Sequence, residues 1–126
     1  MVVVRDGKDL KSRVKDDYSP QDLNVMMQDP DWAVRCVAAE RISADLVHEM
    51  MGDKHWAVRR EVAHRIDPSR LPEMMGDPNW LVNLKVAERI DPKYLSGMLM
   101  RETHLDVVRL LRNRLADLHP VSAVAP

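Results

Sequence analysis

The sequence predicts an all-α solenoid in which short and long helices alternate in repeats of 24 residues. Three tryptophans lie 24 residues apart, each within the same phrase: Trp32 in residues 26–35, Trp56 in residues 50–59 and Trp80 in residues 74–83. Apolar residues return at helical spacing inside each phrase, and no strand-like alternation separates the phrases. A helical unit of this length buries its apolar side by stacking on the next unit, so this period predicts a solenoid.

Each repeat is expected to hold a short helix followed by a long one. Asp67 and Asp77 each stand immediately before a proline, and an aspartate N-cap followed by proline at the first helical position is a helix-start signal. The short element, residues 68–75, contains Pro72 and is therefore predicted to be a single turn or a 3₁₀ segment. The long element, residues 78–90, is predicted to be an α-helix.

Glycines and atypical units mark the boundaries of the elements and of the repeats. Gly52 and Gly76 are expected to leave the short elements in the left-handed conformation. The first and last units are degenerate, as capping repeats are, with Leu10 and Val14 assigned to a leading helix. The interpretation is a single domain over residues 1–126 with three parts: 1–25 as an N-terminal cap, 26–97 as three full repeats, and 98–126 as a degenerate repeat with a C-terminal cap.

The bulk composition argues against several classes of protein. Lysine and arginine number 19 against 20 aspartate and glutamate, so a net charge of -1 provides no global positive field to attract nucleic acid. Nowhere do 18 apolar residues run together, and the first apolar run is too short for a signal peptide. The lone cysteine, Cys36, cannot form an internal disulfide. We therefore expect a cytoplasmic protein without a membrane span.

One face of each long helix is predicted to form the core. A turn of about 100° per residue gathers five side chains of the second repeat on one arc: Trp56, Val58, Val62, Ala63 and Ile66. Arg59 falls near the middle of this arc, where a charge must be paired. The residue type that recurs in step with this arginine is an aspartate six positions earlier. This spacing predicts Asp29–Arg35 and Asp53–Arg59 pairs, an Asp–Arg ladder that runs between repeats.

The predicted ladder weakens toward the end of the chain. The third repeat has Asn83 in place of the arginine. The fourth repeat keeps an acid, Glu102, but has Val108 in place of the arginine. A valine at this position supports the prediction that the site is buried.

The repeated phrases resemble a known family. Asp-Pro-x-Trp-x-Val-Arg followed by Val-Ala-x-Arg-Ile, in units of 24 residues, is similar to the leucine-rich repeat variant (LRV) family, a relative of the HEAT repeats. The resemblance covers nearly all of the chain, with the HEAT-like positions at Asp29, Val34, Arg35, Asp53, Val58 and Arg59. It implies a right-handed superhelix that alternates α-helices with 3₁₀ helices, and a role in interactions rather than in a reaction. The best-known member type holds an iron–sulfur centre in an N-terminal cysteine cluster, and because this N-terminus has no cysteine, no cofactor is carried over.

The leading functional hypothesis is a scaffold or adaptor that binds another protein. On the side of the long helix away from the core, the third repeat has Leu81 and Leu84 where other repeats have small or charged residues. These two leucines predict a local apolar patch. Such a patch is either a partner site or a contact with a flanking element. The leading hypothesis takes it as a partner site around Trp80, Leu81, Leu84 and Lys85.

The alternative hypothesis, from another class, is nucleic-acid binding along an arginine column with one member in each repeat: Arg41, Arg65, Arg89 and Arg114. Glu40 and Glu88 precede two of these arginines, which favours a charge-balanced and solvated ridge. The three tryptophans could stack on bases, but their position at the margin of the core arc favours packing between repeats.

Metal and catalytic functions are not expected. The five histidines share no helical metal-ligand spacing: His48, His55, His64, His104 and His119. Of these, His55 and His104 are interpreted as solvated surface residues. The methionine pairs of the repeats, with Met98 and Met100, are interpreted as core side chains rather than copper ligands. No nucleophile stands with a recognisable base, so we expect a non-enzymatic chain with no catalytic residue, no metal and no cofactor.

Self-association through the last repeat is a further interpretation. Leu105, Leu110 and Leu111 need a cover, which a second copy of the chain would provide. The apolar tail at residues 116–126 is the other candidate for that cover. The sequence leaves both alternatives open.

Overall fold

Helices make up the described part of this chain. The computed structural model describes residues 17–118, and that part contains no β-strand. Its α-helices, in chain order, are α1 (Pro20–Met26), α2 (Trp32–Arg41), α3 (Trp56–Arg65), α4 (Trp80–Arg89), α5 (Leu95–Arg101) and α6 (Leu105–Leu118). Segments of 3₁₀ helix stand between them at Val47–Met50, Pro68–Met74 and Pro92–Tyr94. The predicted leading helix with Leu10 and Val14, and the tail beyond residue 118, lie outside the described residues.

The long helices α2, α3 and α4 each begin at their tryptophan. Their N-cap side chains accept the backbone N–H two residues on: Asp31 from Ala33 at 2.9 Å, His55 from Ala57 at 3.0 Å, and Asn79 from Leu81 at 2.8 Å. The predicted start of the third long helix at Pro78 is therefore wrong. The carboxylate of Asp77 accepts the N–H of Asn79 at 2.8 Å and closes a turn, so the capping role passes from Asp77 to Asn79.

The short element before α4 is a 3₁₀ helix, which confirms one of the two predicted forms. Asp67 is its N-cap, as predicted, and accepts the N–H of Ser69 at 2.9 Å. Pro72 has no N–H to donate within the segment, so a continuous α-helical hydrogen-bond pattern cannot form there. The first short element differs, because α1 is an α-helix whose start is held by reciprocal hydrogen bonds between Ser19 and Asp22.

The two glycines predicted to be left-handed behave differently. Gly76 has a φ of 77°, as predicted, and follows Met75, which leaves the 3₁₀ segment in an extended conformation. The prediction for Gly52 is wrong, because its φ lies outside the left-handed region. The turn there is closed by the N–H of Asp53, which donates to the carbonyl oxygen of Met50 at 3.1 Å. A right-handed turn thus reverses the chain without the conformational freedom of glycine.

The chain divides after Ile66 into two compact units. In the first unit, α1 packs on α2 and α2 packs on α3, which also contacts the Val47–Met50 segment. In the second unit, α6 packs on both α4 and α5, and α4 contacts the Pro68–Met74 segment. Neighbouring helices therefore pack against each other within each unit. None of the helices in residues 17–118 is long and apolar enough to cross a bilayer.

The core of the units consists of residues that the helical period predicts. Val58, Val62, Ala63 and Ile66 are buried, as expected, whereas Trp56 is only half-buried. The tryptophan stands at the first position of α3, at the margin of the apolar arc. Burial of the aliphatic side chains supplies the main favourable free energy of folding.

Methionines close the core at the ends of the short elements. The first methionine of each pair and Met98 are buried, as predicted: Met26, Met50, Met74 and Met98. The prediction is wrong for Met100, which is 85% exposed. Met100 follows Met98 by two residues on α5, which places it about 200° further round the helix and away from the core.

Candidate functional site

A buried arginine of the first unit, Arg35, reaches from one repeat to the next. The Arg35 guanidinium donates from Nε to Oδ2 of Asp53 at 2.8 Å and from Nη2 to Oδ1 at 3.0 Å. Its Nη1 donates to the carbonyl oxygens of Asp29 at 2.8 Å and Pro30 at 3.2 Å. The side chains of Arg35 and Asp53 are only 8% and 9% exposed. This is a two-pronged, desolvated ion pair, and Nη1 adds two hydrogen bonds to backbone carbonyl oxygens.

The Asp–Arg ladder therefore exists at this step, but its predicted partners are wrong. Arg35 pairs with the carboxylate of Asp53 in the next repeat rather than with that of Asp29. The Asp29 carboxylate instead accepts the N–H of Asp31 at 2.8 Å, so only its carbonyl is presented to the arginine. Arg59 likewise donates to the carbonyl oxygen of Asp53 at 2.9 Å, not to its carboxylate. In both repeats, the carboxylate six positions before the arginine accepts an N–H of its own turn instead.

The electrostatics of the pair follow from this geometry. Burial opposes ionisation of Asp53, but hydrogen bonds from the Arg35 guanidinium and the N–H of His55 outweigh it, so the pKa of Asp53 is lowered from its ordinary value. The hydrogen bond to Asp53 raises the pKa of Arg35, against the opposing effect of burial. Both groups are therefore held in their charged forms.

The histidines at two helix starts are half-buried and stacked on tryptophans, which corrects their interpretation as solvated surface residues. His55 stacks on Trp32 with ring centroids 4.0 Å apart and planes 8° apart, and His104 stacks on Trp80 at 3.8 Å and 5°. Each imidazole Nδ1 also accepts a backbone N–H two residues on, at 3.0 Å and 3.2 Å respectively. Trp32 and Trp80 thus pack between repeats, as predicted. A helix-start residue one repeat after a tryptophan is the sequence signal that could have indicated this stacking.

The predicted partner residues lie together on α4. We call Trp80, Leu81, Leu84 and Lys85 the α4 stripe, since their spacing places them on one side of the helix. All four are half-buried. Lys85 Nζ forms an ion pair with Glu88 Oε1 at 2.9 Å. The stripe therefore presents apolar side chains beside a charge that is already neutralised.

The predicted arginine column is held by contacts within the protein. Arg65 Nη1 donates to the carbonyl oxygen of Ala39 at 2.8 Å, near the end of α2. Arg114 Nη1 donates to the carbonyl oxygens of Ala87 at 2.9 Å and Ile90 at 2.7 Å, at the end of α4. The Arg41 guanidinium lies 5.4 Å from the centre of the Tyr18 ring, and Arg89 is half-buried. Cations at helix C-termini complement the helix dipole, so these side chains have a structural role.

The leucines of the last repeat are partly covered by other helices of the second unit. Leu111 is fully buried within the second unit and Leu110 is half-buried, whereas Leu105 is 64% exposed at the start of α6. Helix α6 packs on α4 and α5, which accounts for the burial of Leu111. The part of the predicted cap beyond residue 118 lies outside the described residues.

An open cavity of about 520 Å³ lies beside α4 in the second unit. We call it the Asn83 cavity, and its lining includes Asp77, Trp80, Asn83, Arg101, Glu102 and His104. Polar groups and one aromatic wall therefore share this space. A second open cavity of about 380 Å³ lies in the first unit, where Tyr18, Leu23, Ile42 and Leu46 contribute apolar lining.

Cys36, the one cysteine of the chain, is half-buried. Burial raises the pKa of the Cys36 thiol to about 11, and the carboxylates of Glu61 and Glu40 act in the same direction. Among residues 17–118, no three His, Cys, Asp or Glu side chains form a group that could hold a metal ion. Compared with family models, curated proteins and solved structures, the chain has no match.

Proposed function

We propose that this chain is a non-catalytic scaffold or adaptor that binds another protein through the α4 stripe. The observation that carries the proposal is the pair of half-buried leucines, Leu81 and Leu84, on a helix whose fully buried core face is formed by other side chains. The equivalent positions are Ala33 and Cys36 on α2, and Ala57 and Arg60 on α3. The third repeat thus differs from the first two on the side of its long helix that lies away from the buried core residues.

The chemistry of the stripe favours a protein as the partner. Because Lys85 is already paired with Glu88, the stripe offers no unpaired charge to attract a polyanion. Half-buried leucines beside an indole match the apolar centre of a protein–protein interface, where a few side chains carry most of the binding energy. The expected partner is a protein that places apolar side chains against Leu81 and Leu84.

The wider architecture belongs to the same proposal. We infer a right-handed solenoid of the LRV type, working in the cytoplasm, in which neighbouring repeats share equivalent contacts. The support is the recurrence of one tryptophan–histidine stack in each unit, and of an arginine bound to the carbonyl oxygens at a helix end in each unit. Repeats that use the same contact at each step stack regularly.

The test is affinity purification of the full chain and two matched variants, with and without nuclease. One variant is Leu81→Gln with Leu84→Gln, and the control places glutamines at the equivalent positions Ala57 and Arg60 of α3. We expect a nuclease-resistant protein that binds the wild-type chain and the control but not the leucine variant. Circular dichroism checks that both variants fold. A partner that all three chains retain equally would exclude the α4 stripe as the binding site.

The same experiment addresses the nucleic-acid alternative. Arg65 and Arg114 are committed to backbone carbonyl oxygens, which speaks for a structural role of the arginine column. A partner that is lost on nuclease treatment would favour nucleic acid instead. Self-association is measured separately by light scattering, and a dimer that the leucine variant abolishes would make a second copy of the chain the partner.

A further inference from the structure

The Asn83 cavity lies where the first unit holds an arginine side chain. In the 24-residue repeat, Asn83 corresponds to Arg35, and Glu102 corresponds to Asp53 once the one-residue insertion is counted. Both Asn83 and Glu102 line the cavity. In the first unit, the equivalent pair is joined directly by two hydrogen bonds between guanidinium and carboxylate. The junction of the third and fourth repeats therefore keeps the acid, Glu102, but lacks the guanidinium that such an acid binds.

Asn83 replaces only part of what Arg35 does. Its Nδ2 donates to the carbonyl oxygen of Asp77 at 2.7 Å, and its Oδ1 accepts the N–H of Asp77 at 2.8 Å. These bonds hold the same turn that Arg35 holds through the carbonyl of Asp29. Both polar atoms of the short amide are thereby engaged on the turn, and Asn83 makes no hydrogen bond to Glu102.

Glu102 keeps the local role of its equivalent and retains an acceptor. Its Oε2 accepts the N–H of Thr103 at 3.2 Å and of His104 at 3.1 Å, as Asp53 Oδ1 accepts the N–H of His55 at 2.8 Å. Within residues 17–118, Oε1 of Glu102 has no hydrogen-bond donor. The turn fixes the position of the carboxylate at the cavity wall, which preorganises it for a cation.

We propose that the Asn83 cavity binds a guanidinium group, supplied by free arginine or by an arginine side chain of a partner polypeptide. The group would pair with the Glu102 carboxylate, and its aliphatic stem would lie along Trp80 and the buried Met98, which also line the cavity. A planar, forked guanidinium matches a carboxylate in two-pronged geometry, whereas a lysine ammonium does not. The volume of about 520 Å³ lies within the range of small-ligand pockets.

Arg101 and His104 also line the cavity, so an anion is the competing ligand. The fixed carboxylate of Glu102 repels an anion, and the Nδ1 of His104 is occupied by the N–H of Asp106. The Arg101 side chain is exposed and forms no hydrogen bond or ion pair with residues 17–118. Its like charge at the rim weakens guanidinium binding, so Arg101→Gln is expected to strengthen it.

The test is a titration of the full chain followed by NMR at the Trp80 indole N–H, assigned through Trp80→Phe. The probes are free arginine, a blocked peptide with one arginine, lysine, citrulline and inorganic phosphate. Arginine should give a saturable shift with half-saturation on the order of millimolar, and lysine and citrulline should bind about tenfold more weakly or less. Binding to free arginine as tight as to the peptide indicates a small-molecule ligand, and about tenfold tighter peptide binding indicates a polypeptide.

Two variants make the result specific to the cavity. Glu102→Gln should weaken arginine binding about tenfold or more, whereas Glu88→Gln, on the exposed side of α4, should leave it unchanged. Asn83→Arg should abolish binding, because it supplies the guanidinium internally as Arg35 does. Equal shifts with arginine and citrulline, a saturable shift with phosphate instead, or full binding by Glu102→Gln would each overturn the proposal. None of these results depends on the adaptor function, which is tested by Leu81 and Leu84.

Discussion

The guanidinium of Arg35 and the carboxylate of Asp53, 18 residues apart in the chain, form a two-pronged ion pair at 2.8 and 3.0 Å. The same carboxylate accepts the N–H of His55, the N-cap residue of α3. One aspartate thus joins the helix of one repeat to the start of the helix in the next. The stability of this junction can be tested residue by residue.

Asp53→Asn should lower the free energy of unfolding by about 3 kcal/mol near neutral pH, because it leaves the buried Arg35 without an opposing charge. Urea denaturation followed by circular dichroism measures the change. The control is Glu73→Gln, which breaks the exposed ion pair with Arg70 (3.0 Å, side chains 38% and 49% exposed) and should cause no measurable loss. Equal effects of the two substitutions would show that burial adds nothing to the Arg35 pair.

The lowered pKa of Asp53 predicts an acid-sensitive contribution to stability. The unfolded chain takes up the proton at a pKa of about 3.9, before the folded chain does, so the contribution is present above that pH and is lost as the pH falls through the lower folded value. The urea midpoint of the wild-type chain should therefore fall between about pH 5 and pH 2. In Asp53→Asn this fall should be smaller, and an identical acid profile in both chains would contradict the assignment.

The Cys36 thiol should be unreactive near neutral pH. Because its pKa is about 11, the thiolate fraction at about pH 8 should be roughly two orders of magnitude below that of an ordinary thiol. Alkylation by iodoacetamide should accelerate steadily as the pH rises toward 11. The urea-unfolded chain provides the reference rate, and a native rate as fast as that reference would show that burial does not protect the thiol.

Gly76 and Gly52 form a matched pair for backbone strain. Neither position has a heavy atom within 4 Å of an added Cβ, but Gly76 has a φ of 77° and Gly52 does not lie in the left-handed region. Gly76→Ala should cost about 1 kcal/mol, whereas Gly52→Ala should be neutral or stabilising by up to about 1 kcal/mol. Thermal unfolding measures both effects: Gly76→Ala should lower the melting temperature, whereas Gly52→Ala should leave it unchanged or raise it. Equal losses in both variants would contradict the strain assigned to Gly76.

The stack of His55 on Trp32 can be separated from the N-cap of α3. His55→Asn keeps a capping oxygen but removes the ring, and it should lower stability by about 0.5–1.5 kcal/mol. His55→Ala also removes the cap and should cost about 1 kcal/mol more. His64→Ala, at an exposed position of α3, should stay within about 0.5 kcal/mol of the wild type. If His55→Asn were as stable as the wild type, the ring contact would contribute nothing.

Local features of the structure followed from the sequence. The 3.6-residue period identified Val58, Val62 and Ile66 as core residues, because burial follows directly from which side of a helix a residue occupies. Asp67 and Pro72 indicated a capped element that cannot be a regular α-helix, because a cap and a missing N–H act within a few residues.

Only the tertiary structure decided which partner each polar group takes. Asp29 and Asp53 stand at equivalent positions in successive repeats, so the sequence could not distinguish a pair within one repeat from a pair across two. The Asp29 carboxylate closes its own turn, and the packing of α2 on α3 brings Asp53 to Arg35. The contact of His55 with Trp32 arises in the same way. The repeat period determined which residues recur, whereas stacking decided which recurring residues meet, because a hydrogen bond or ring contact depends on distances of a few ångströms between segments far apart in the chain.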